Sequence, residues 1–514
     1  MSQIKKGALL DYFNIALTNI VGIVLTPFII RKLGDSEYGL YTLIGAFVGY
    51  IAVLDLGLGN AIVRFIAKFR AEEDKKGEEN FLANTMVIYG FISSVIILAG
   101  TVCYFNIESI FANSLKPDQM GSAKIMFAIL IFNLAISLPG GTFGAICSGY
   151  EHFVYPKSLR ITRYIIRSIT IVAVLFLGGK AVSLVVIDTL MSISVVTANA
   201  HYVFKKLNVK IKLHHFDKSL ITEVFAYSVW IFVAVLAAKF QWTSGQVILG
   251  IVANTTVVAI FAVGVMLGTY YGAFSSAITG VFLPRATKMS IRSNGDRELT
   301  DLMIRLGRIS FIVLMYILCA FALFGKQFVF LWVGSTYYDA YLIALVIMLA
   351  YTVPLVENFG NSVMMAQNKV RFKALLYLSF TFLGMALGYW LALDYGIFGM
   401  LTGLMVSWVI VQVVTNIYYH RVLKLDMFRF FKELVYKTWW CVILAFCIGF
   451  LIDFIPGEGW FNFILKAFLY TCVYGLLVYN FGIITYEKNL FDTSFKSMKT
   501  QAVLYKNMIF KRNK

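Results

Sequence analysis

Residues 7–30 read GALLDYFNIALTNIVGIVLTPFII, an apolar run that decides the class of fold. A helix needs about twenty apolar residues to cross the hydrocarbon core of a bilayer, and this run is long enough. It follows two lysines, lacks an A-x-A cleavage signal and exceeds the apolar region of a signal peptide, which favours a retained first span. Comparable runs recur along all 514 residues. The sequence therefore predicts an all-α, polytopic membrane protein.

Hydropathy predicts about fourteen transmembrane helices. They fall near residues 7–30, 39–64, 83–105, 121–148, 161–179, 181–204, 221–247, 254–284, 302–325, 339–366, 373–393, 396–420, 433–454 and 460–486. These spans occupy most of the chain and leave only short loops and a tail. No sizeable water-soluble domain fits between them, which excludes most enzymes that are built on a separate catalytic lobe.

The chain has few charged residues, and most of its basic residues lie in alternate inter-span segments. Charged residues make up 14% and hydrophobic residues 60%, and the net charge is +18. Thirty-six of the 45 lysines and arginines lie in alternate inter-span segments, including both termini. Basic residues collect on the cytoplasmic side of membrane proteins, so both termini are predicted to be cytoplasmic. The basic balance is thereby explained without a nucleic-acid partner.

Several kinds of chemistry are missing from the sequence. The six cysteines lie inside apolar segments without a C-x-x-C pair, so they indicate neither a disulfide framework nor a metal site. No nucleotide-binding P-loop, D-x-D pair or H-E-x-x-H motif is present. We therefore expect no cofactor, no metal and no ATP-driven step within this chain.

An internal repeat is visible at an offset of roughly 220 residues. Asn60–Phe69 (NAIVRFIAKF) resembles Val281–Met289 (VFLPRATKM), and Leu138–Gly144 (LPGGTFG) resembles Val353–Gly360 (VPLVENFG). Parallel repeats of this kind build alternating-access transporters with the substrate path between the halves. The predicted organisation is a six-helix half at 1–206, a second at 207–425, two additional helices at 426–486 and a basic cytoplasmic tail at 487–514.

Ionisable residues inside the spans are the candidate site, because an embedded charge is costly and usually faces a cavity or a partner. Asp55 lies in span two among glycines and is a candidate for ion coupling or for helix packing. Lys239 in span seven has no acidic neighbour in sequence, and it either snorkels to the surface or lines the substrate path. Arg167 lies deep in span five, and Asp188 on the next span is its candidate partner.

Three further positions complete the candidate set. Arg64 and Arg285 occupy matching positions at the inner ends of spans two and eight, where topology alone also favours basic residues. Asn14 belongs to a polar stripe with Asp11 and Thr18 on one face of span one. Glu357 follows Pro354 in span ten, and this pattern predicts an unwound, cavity-facing stretch that is suited to a coupling cation.

A family resemblance covers the first twelve spans. The residues that carry it are Leu33–Tyr41 (LGDSEYGLY), Leu54–Phe65 (LDLGLGNAIVRF), Ser148–Tyr155 (SGYEHFVY), Tyr227–Phe232 (YSVWIF) and Met365–Lys373 (MAQNKVRFK). With the twelve-plus-two arrangement of spans, they resemble the polysaccharide-transporter branch of the multidrug/oligosaccharidyl-lipid/polysaccharide (MOP) superfamily, which includes Wzx-type O-antigen flippases. The resemblance implies a MATE-like fold in a bacterial cytoplasmic membrane. It also implies transport of an undecaprenyl-diphosphate-linked oligosaccharide from the inner to the outer leaflet.

The flippase hypothesis assigns a role to each of the candidate residues. Arg64, Arg285, Lys239, Arg167 and Asn14 are predicted to bind substrate, while Asp55 and Glu357 are predicted to couple H⁺ or Na⁺. The expected partners are the lipid-linked oligosaccharide, membrane lipids and polysaccharide-assembly proteins. Two alternatives stay open: a cation-coupled drug or metabolite antiporter of the same superfamily, and a membrane-embedded glycosyltransferase or polymerase.

Overall fold

The computed structural model describes residues 3–55, 58–112, 114–216, 218–279, 295–367 and 369–488. Within these ranges the regular structure is entirely helical. The α-helices are α1 (Gln3–Leu33), α2 (Asp35–Ile51), α3 (Leu58–Ala71), α4 (Lys75–Ile110), α5 (Pro117–Gly149), α6 (Val154–Phe176), α7 (Ala181–Lys205), α8 (Lys218–Val252), α9 (Thr255–Thr279), α10 (Gly295–Val333), α11 (Tyr338–Val356), α12 (Asn358–Ala366), α13 (Val370–Arg421), α14 (Met427–Val435), α15 (Thr438–Asp453) and α16 (Trp460–Leu477).

The number of candidate spans in the described residues is compatible with the prediction of about fourteen. Eleven described helices are long and apolar enough to cross a membrane, and α14 with α15 forms a further, bent candidate. The helix α6 has 23 residues, but its basic side chains lower its apolarity. The 52-residue α13 contains two predicted spans. Each of the fourteen predicted spans overlaps a described helix, so the structure is compatible with fourteen.

The helix α13 is a helical hairpin. Gly396 interrupts it with φ 54° and ψ −129°, a left-handed conformation that glycine adopts without a steric penalty. Beyond this turn the two arms pack closely, because the Gly403 backbone lies directly against that of Gly388 and Ser407 lies beside Gly384. Small residues let transmembrane helices approach at the backbone. Glycine therefore sets both the turn and the spacing of the two spans.

The second predicted span is divided near its middle. The helix α2 ends at Ile51 and continues as a 3₁₀ turn over Ala52–Asp55, and α3 begins at Leu58. Asp55 thus lies where the backbone changes from an α-helix to a 3₁₀ turn. The irregular backbone places the Asp55 carboxylate inside the bundle, where the turn packs against α4 and α8.

The chain forms two compact units. The first comprises residues 1–267, 332–344 and 368–414, and its core includes Leu40, Leu43 and Ile44, which are fully buried. The second comprises residues 268–331, 345–367 and 415–514. Tyr470 and Tyr474 lie in its core. These units follow the packing of the helices, and the repeat-based halves at 1–206 and 207–425 stay a prediction.

Candidate functional site

Lys239 is a cation embedded in the first unit. Its side chain is partly buried and lies against α2, where a Cβ added to Gly49 would be 2.7 Å from Lys239 Cε. The next residue, Phe240, stacks on Tyr50 with ring centroids 4.6 Å apart. No ionic partner of Lys239 occurs among the described residues. Gly49 leaves room for the lysine stem, and the ammonium charge is not balanced by a carboxylate among the described residues.

Asp55 lies one helical turn beyond Tyr50 on the same segment. The Tyr89 hydroxyl of α4 donates to Asp55 Oδ1 at 3.2 Å, and the Tyr89 side chain is almost fully buried. This bond supports the packing role that the sequence left open, and it leaves the second carboxylate oxygen available to another donor. In the described part of the chain no ion pair joins Asp55 to Lys239. The first unit thus holds an acid and a base separately, Asp55 bonded to Tyr89 of α4 and Lys239 packed against Gly49 of α2.

Arg167 is neutralised within its own bundle. Its guanidinium reaches both carboxylate oxygens of Asp188 on α7, with Nη2 to Oδ2 at 3.0 Å. Tyr41 of α2 joins the pair, donating to Asp188 Oδ2 at 3.2 Å and accepting from Arg167 Nη2 at 3.3 Å. The predicted pairing of Arg167 with Asp188 is confirmed. The cluster joins α2, α6 and α7, so a large part of the Arg167 charge is balanced by Asp188.

The polar stripe of span one lies mainly against α6. Lys157 Nζ binds Asp11 Oδ2 at 2.5 Å and the Gly7 carbonyl at 3.2 Å. The Tyr164 hydroxyl donates to the Thr18 carbonyl at 3.1 Å. Asn14 lies between these contacts, and its buried Oδ1 accepts no hydrogen bond from the described residues. Among the members of the stripe, Asn14 therefore keeps an acceptor for a ligand.

Of the two matching arginines, Arg64 lies within the described residues and Arg285 does not. Arg64 is exposed near the middle of α3, one residue before the buried Phe65. Its exposure agrees with a position at an aqueous mouth. Arg285 lies outside the described residues, so the predicted symmetry of the pair stays a prediction.

Glu357 lies in the second unit at the break between α11 and α12. Its side chain is 1% exposed, and its backbone N–H still donates to the Val353 carbonyl at 3.2 Å. The next helix begins at once, and Asn361 there donates to Asn358 and accepts from Tyr419, both at 3.0 Å. The helix is interrupted after Pro354 as predicted, at Glu357, and the role of this carboxylate in ion coupling stays a prediction. The carboxylate is closed off from solvent in this conformation.

Arg308 is the buried cation that sequence reasoning missed. It is 2% exposed in α10, and its Nε binds Glu487 Oε1 at 2.6 Å. It also donates to the carbonyls of Glu433, Tyr436 and Gly482. The sequence counted it as an ordinary cytoplasmic arginine, because its carboxylate partner is 179 residues away. One guanidinium thereby satisfies the carbonyl ends of α14 and of the π-helical turn at Val478–Gly482.

No group of three or more potential metal ligands occurs in the described ranges. The membrane-length helices define the chain as a multi-pass membrane protein. The chain belongs to the family described as "Polysaccharide biosynthesis protein", whose model matches residues 4–290, more than half of the chain.

Two relatives support this membership. The chain is 21% identical over 405 residues to a Shigella flexneri protein named as an O-antigen transporter, which covers 77% of this chain and 93% of that protein. It is 24% identical over 292 residues to the uncharacterized membrane protein EpsK of Bacillus subtilis, with 55% of each chain covered.

Solved structures show the fold. The lipid II flippase MurJ in an inward closed conformation matches with a TM-score of 0.67 at 16% identity, covering 92% of this chain and 97% of that one. An inward-facing multidrug resistance MATE family transporter of the MOP superfamily matches with a TM-score of 0.60 at 14% identity, covering 85% and 100%. The predicted MATE-like fold is confirmed.

Proposed function

We propose that this protein is a flippase for an undecaprenyl-diphosphate-linked oligosaccharide, a repeat unit of a surface polysaccharide. It moves this lipid from the inner to the outer leaflet of a bacterial cytoplasmic membrane by alternating access and performs no bond chemistry. The family supports a role in polysaccharide biosynthesis. The Shigella relative is named for O-antigen transport, and MurJ is named as a lipid II flippase. These two names support a lipid-linked saccharide as the substrate class.

The unbalanced charge of Lys239 carries the proposal at the level of residues. A diphosphate that crosses a bilayer needs a cation along its path, since an isolated charge in low dielectric is costly. Arg167 already binds Asp188, so Lys239 is the better donor for a charge-assisted bond to phosphate. Asn14, with a buried acceptor, accepts a hydrogen bond from a sugar hydroxyl.

The arginines take supporting roles. Arg64 and Arg285 capture the diphosphate at the cytoplasmic mouth, where exposed cations raise the local concentration of an anionic headgroup. Arg167 adds a weaker positive potential from the Tyr41–Asp188 cluster. Polysaccharide-assembly proteins deliver the substrate at this side.

Asp55 and Glu357 are the proposed coupling groups for H⁺ or Na⁺. Asp55 has one hydrogen-bond donor in Tyr89, and Glu357 lies at a helix break. Discontinuous helices are typical of ion sites in transporters. Exchange of the bound ion at Glu357 requires a second conformation that exposes its carboxylate.

The test is a leaflet-accessibility assay of the lipid-linked glycan in cells depleted of the protein. We expect the lipid-linked glycan to accumulate in the inner leaflet and surface polysaccharide to be lost. Normal arrival in the outer leaflet would refute the proposal. Altered resistance to toxic cations with intact surface glycan would indicate an antiporter, and glycan lengths that follow gene dosage would indicate a polymerase.

A further inference from the structure

An apolar groove runs between α1 and α6 on the surface of the first unit. Its volume is about 600 Å³, and its lining includes Val24, Phe28, Ser168, Ile169 and Phe176. From Ser168 to Phe176 the groove follows about 12 Å of helix, at 1.5 Å of rise per residue. Val24 and Ile169 are each more than 60% exposed, so the groove opens sideways to the surrounding membrane. Its length and lining suit an extended acyl chain.

One end of this groove carries a cation. Phe28 and Phe176 meet there with ring centroids 5.3 Å apart, and Lys32 Nζ lies 4.7 Å from the Phe176 centroid. Lys32 is exposed and forms no ion pair within the described ranges. The carboxylate of Glu37, five residues further along the chain, accepts a hydrogen bond from the backbone N–H of Ala181 at 3.3 Å. The ammonium charge is therefore available to a headgroup at the mouth of the groove.

A second apolar groove in the same unit has a lysine that is paired with a carboxylate. It lies between α4 and α5, has a volume of about 360 Å³, and is lined by Ile97, Gly100, Thr101, Tyr104, Phe105, Phe127, Ala128, Ile131 and Phe132. Lys124 lies 5.8 Å from the Tyr104 ring. Its ammonium binds Glu108 Oε1 at 2.6 Å, which cancels its charge. Of these two grooves of the first unit, the α1–α6 groove is the one whose lysine forms no ion pair among the described residues.

We propose that the α1–α6 groove is a binding site for an anionic phospholipid, with one acyl chain between α1 and α6 and the phosphate at Lys32. The groove opens to the bilayer, so its occupant is a lipid that already surrounds the protein. A lone lysine near a membrane surface favours an anionic over a zwitterionic headgroup by about fivefold. The acyl chain adds affinity through each methylene that it buries. The site is separate from the Lys239 region and does not depend on the transported substrate.

The experiment measures lipid selectivity of the full-length protein. Purified, delipidated protein is mixed with equal amounts of phosphatidylglycerol and phosphatidylethanolamine of identical chains, and retained lipids are counted by native mass spectrometry. We expect phosphatidylglycerol to be enriched about fivefold in the most tightly held lipid. Lys32→Gln is expected to remove the enrichment and Lys32→Arg to keep it. Val24→Trp, which fills the groove, is expected to remove that lipid altogether.

The second groove supplies the matched controls. Lys124→Gln and Ile97→Trp are expected to leave the enrichment unchanged, and the thermal midpoint of each variant shows that it is folded. Equal enrichment in the wild type and Lys32→Gln, or an equal loss in Lys124→Gln, would refute the site. Displacement of phosphatidylglycerol by an equimolar amount of undecaprenyl diphosphate, dependent on Lys32, would also refute it by assigning the groove to the polyprenyl tail.

Discussion

At the scale of single residues, the embedded lysines and arginines differ in whether a carboxylate balances them. Arg167 binds Asp188, Lys466 binds Asp453 and Arg308 binds Glu487. Lys239 has no such partner in the described part of the chain. A buried charge is tolerated when it is paired and hydrogen-bonded, and it is costly otherwise. The paired cations therefore stabilise the fold, while Lys239 is the candidate for contact with an anionic substrate.

Arg308→Met should destabilise the second unit strongly. The change leaves Glu487 buried without its cation and removes the side-chain donor to the Glu433 carbonyl. Removal of one partner of a buried ion pair costs about 3–5 kcal/mol. Arg308→Lys should recover only part of this, because an ammonium group lacks the planar fork of guanidinium. The measurement is the free energy of unfolding in mixed micelles.

Arg429→Met is the control for this prediction. Arg429 is also paired with two carboxylates, Asp301 and Glu433, but its side chain is one-third exposed. Solvent-exposed ion pairs contribute only about 0–1 kcal/mol. Similar losses for the Arg308 and Arg429 variants would contradict the assignment of Arg308 as the buried anchor.

Lys239→Gln should lower the rate of substrate flipping by on the order of tenfold, the size of one lost bond to a charged group. Lys239→Arg should keep most of the rate, since it preserves the charge. Melting temperature should change little, because no carboxylate in the described residues loses a partner. Lys124→Gln is the matched control at an exposed pair. An unchanged rate in Lys239→Gln would contradict the assigned role.

How far the candidate site follows from sequence differs from residue to residue. The pairing of Arg167 with Asp188 was predictable, because consecutive antiparallel spans bring positions 167 and 188 together. The Arg308–Glu487 pair was not, because its partners are separated by 179 residues. Which embedded charges are balanced depends on packing between distant helices, and hydropathy does not record it.

At the scale of elements, the apolar runs predicted the helices well and their interruptions less well. A run of about twenty apolar residues must be helical in a bilayer, since each backbone group needs an internal partner. The interruptions depend on local residues. The break at Glu357 after Pro354 could be predicted from the sequence, whereas the length of that break could not. Gly396 is a single glycine whose positive φ turns α13 into a hairpin. Hydropathy placed two spans there, at 373–393 and 396–420, without showing how closely they pack.

Gly403→Val should destabilise the first unit by about 1–3 kcal/mol, the usual cost of an overpacked contact. A side chain at position 403 would meet the backbone of Gly388 on the other arm of the hairpin. Gly90→Val is the control, because a Cβ at Gly90 meets no atom within 4 Å. The thermal midpoint in detergent measures the difference. Equal midpoints for the two variants would show that the arms of the hairpin do not pack in this way.

At the scale of the whole molecule, the fold is that of transporters in the MOP superfamily, and the proposed transport cycle needs an energy source. The sequence carries no nucleotide-binding P-loop, and an H⁺ or Na⁺ gradient coupled at Asp55 is the source that we propose. Asp55→Asn should keep substrate binding and abolish the acceleration of flipping by an imposed H⁺ or Na⁺ gradient. Glu108→Gln, at a mostly exposed carboxylate, should keep the acceleration. A full gradient response in Asp55→Asn would exclude Asp55 as the coupling group.

The most direct test of the central claim is flipping by the purified protein in liposomes. A fluorescent undecaprenyl-diphosphate oligosaccharide is placed in both leaflets, and a membrane-impermeant reagent quenches the outer population. We predict that the protein makes the inner population accessible, and that Lys239→Gln reconstituted at the same density does so on the order of tenfold more slowly. An inner population that stays protected at the level of protein-free liposomes would contradict the account.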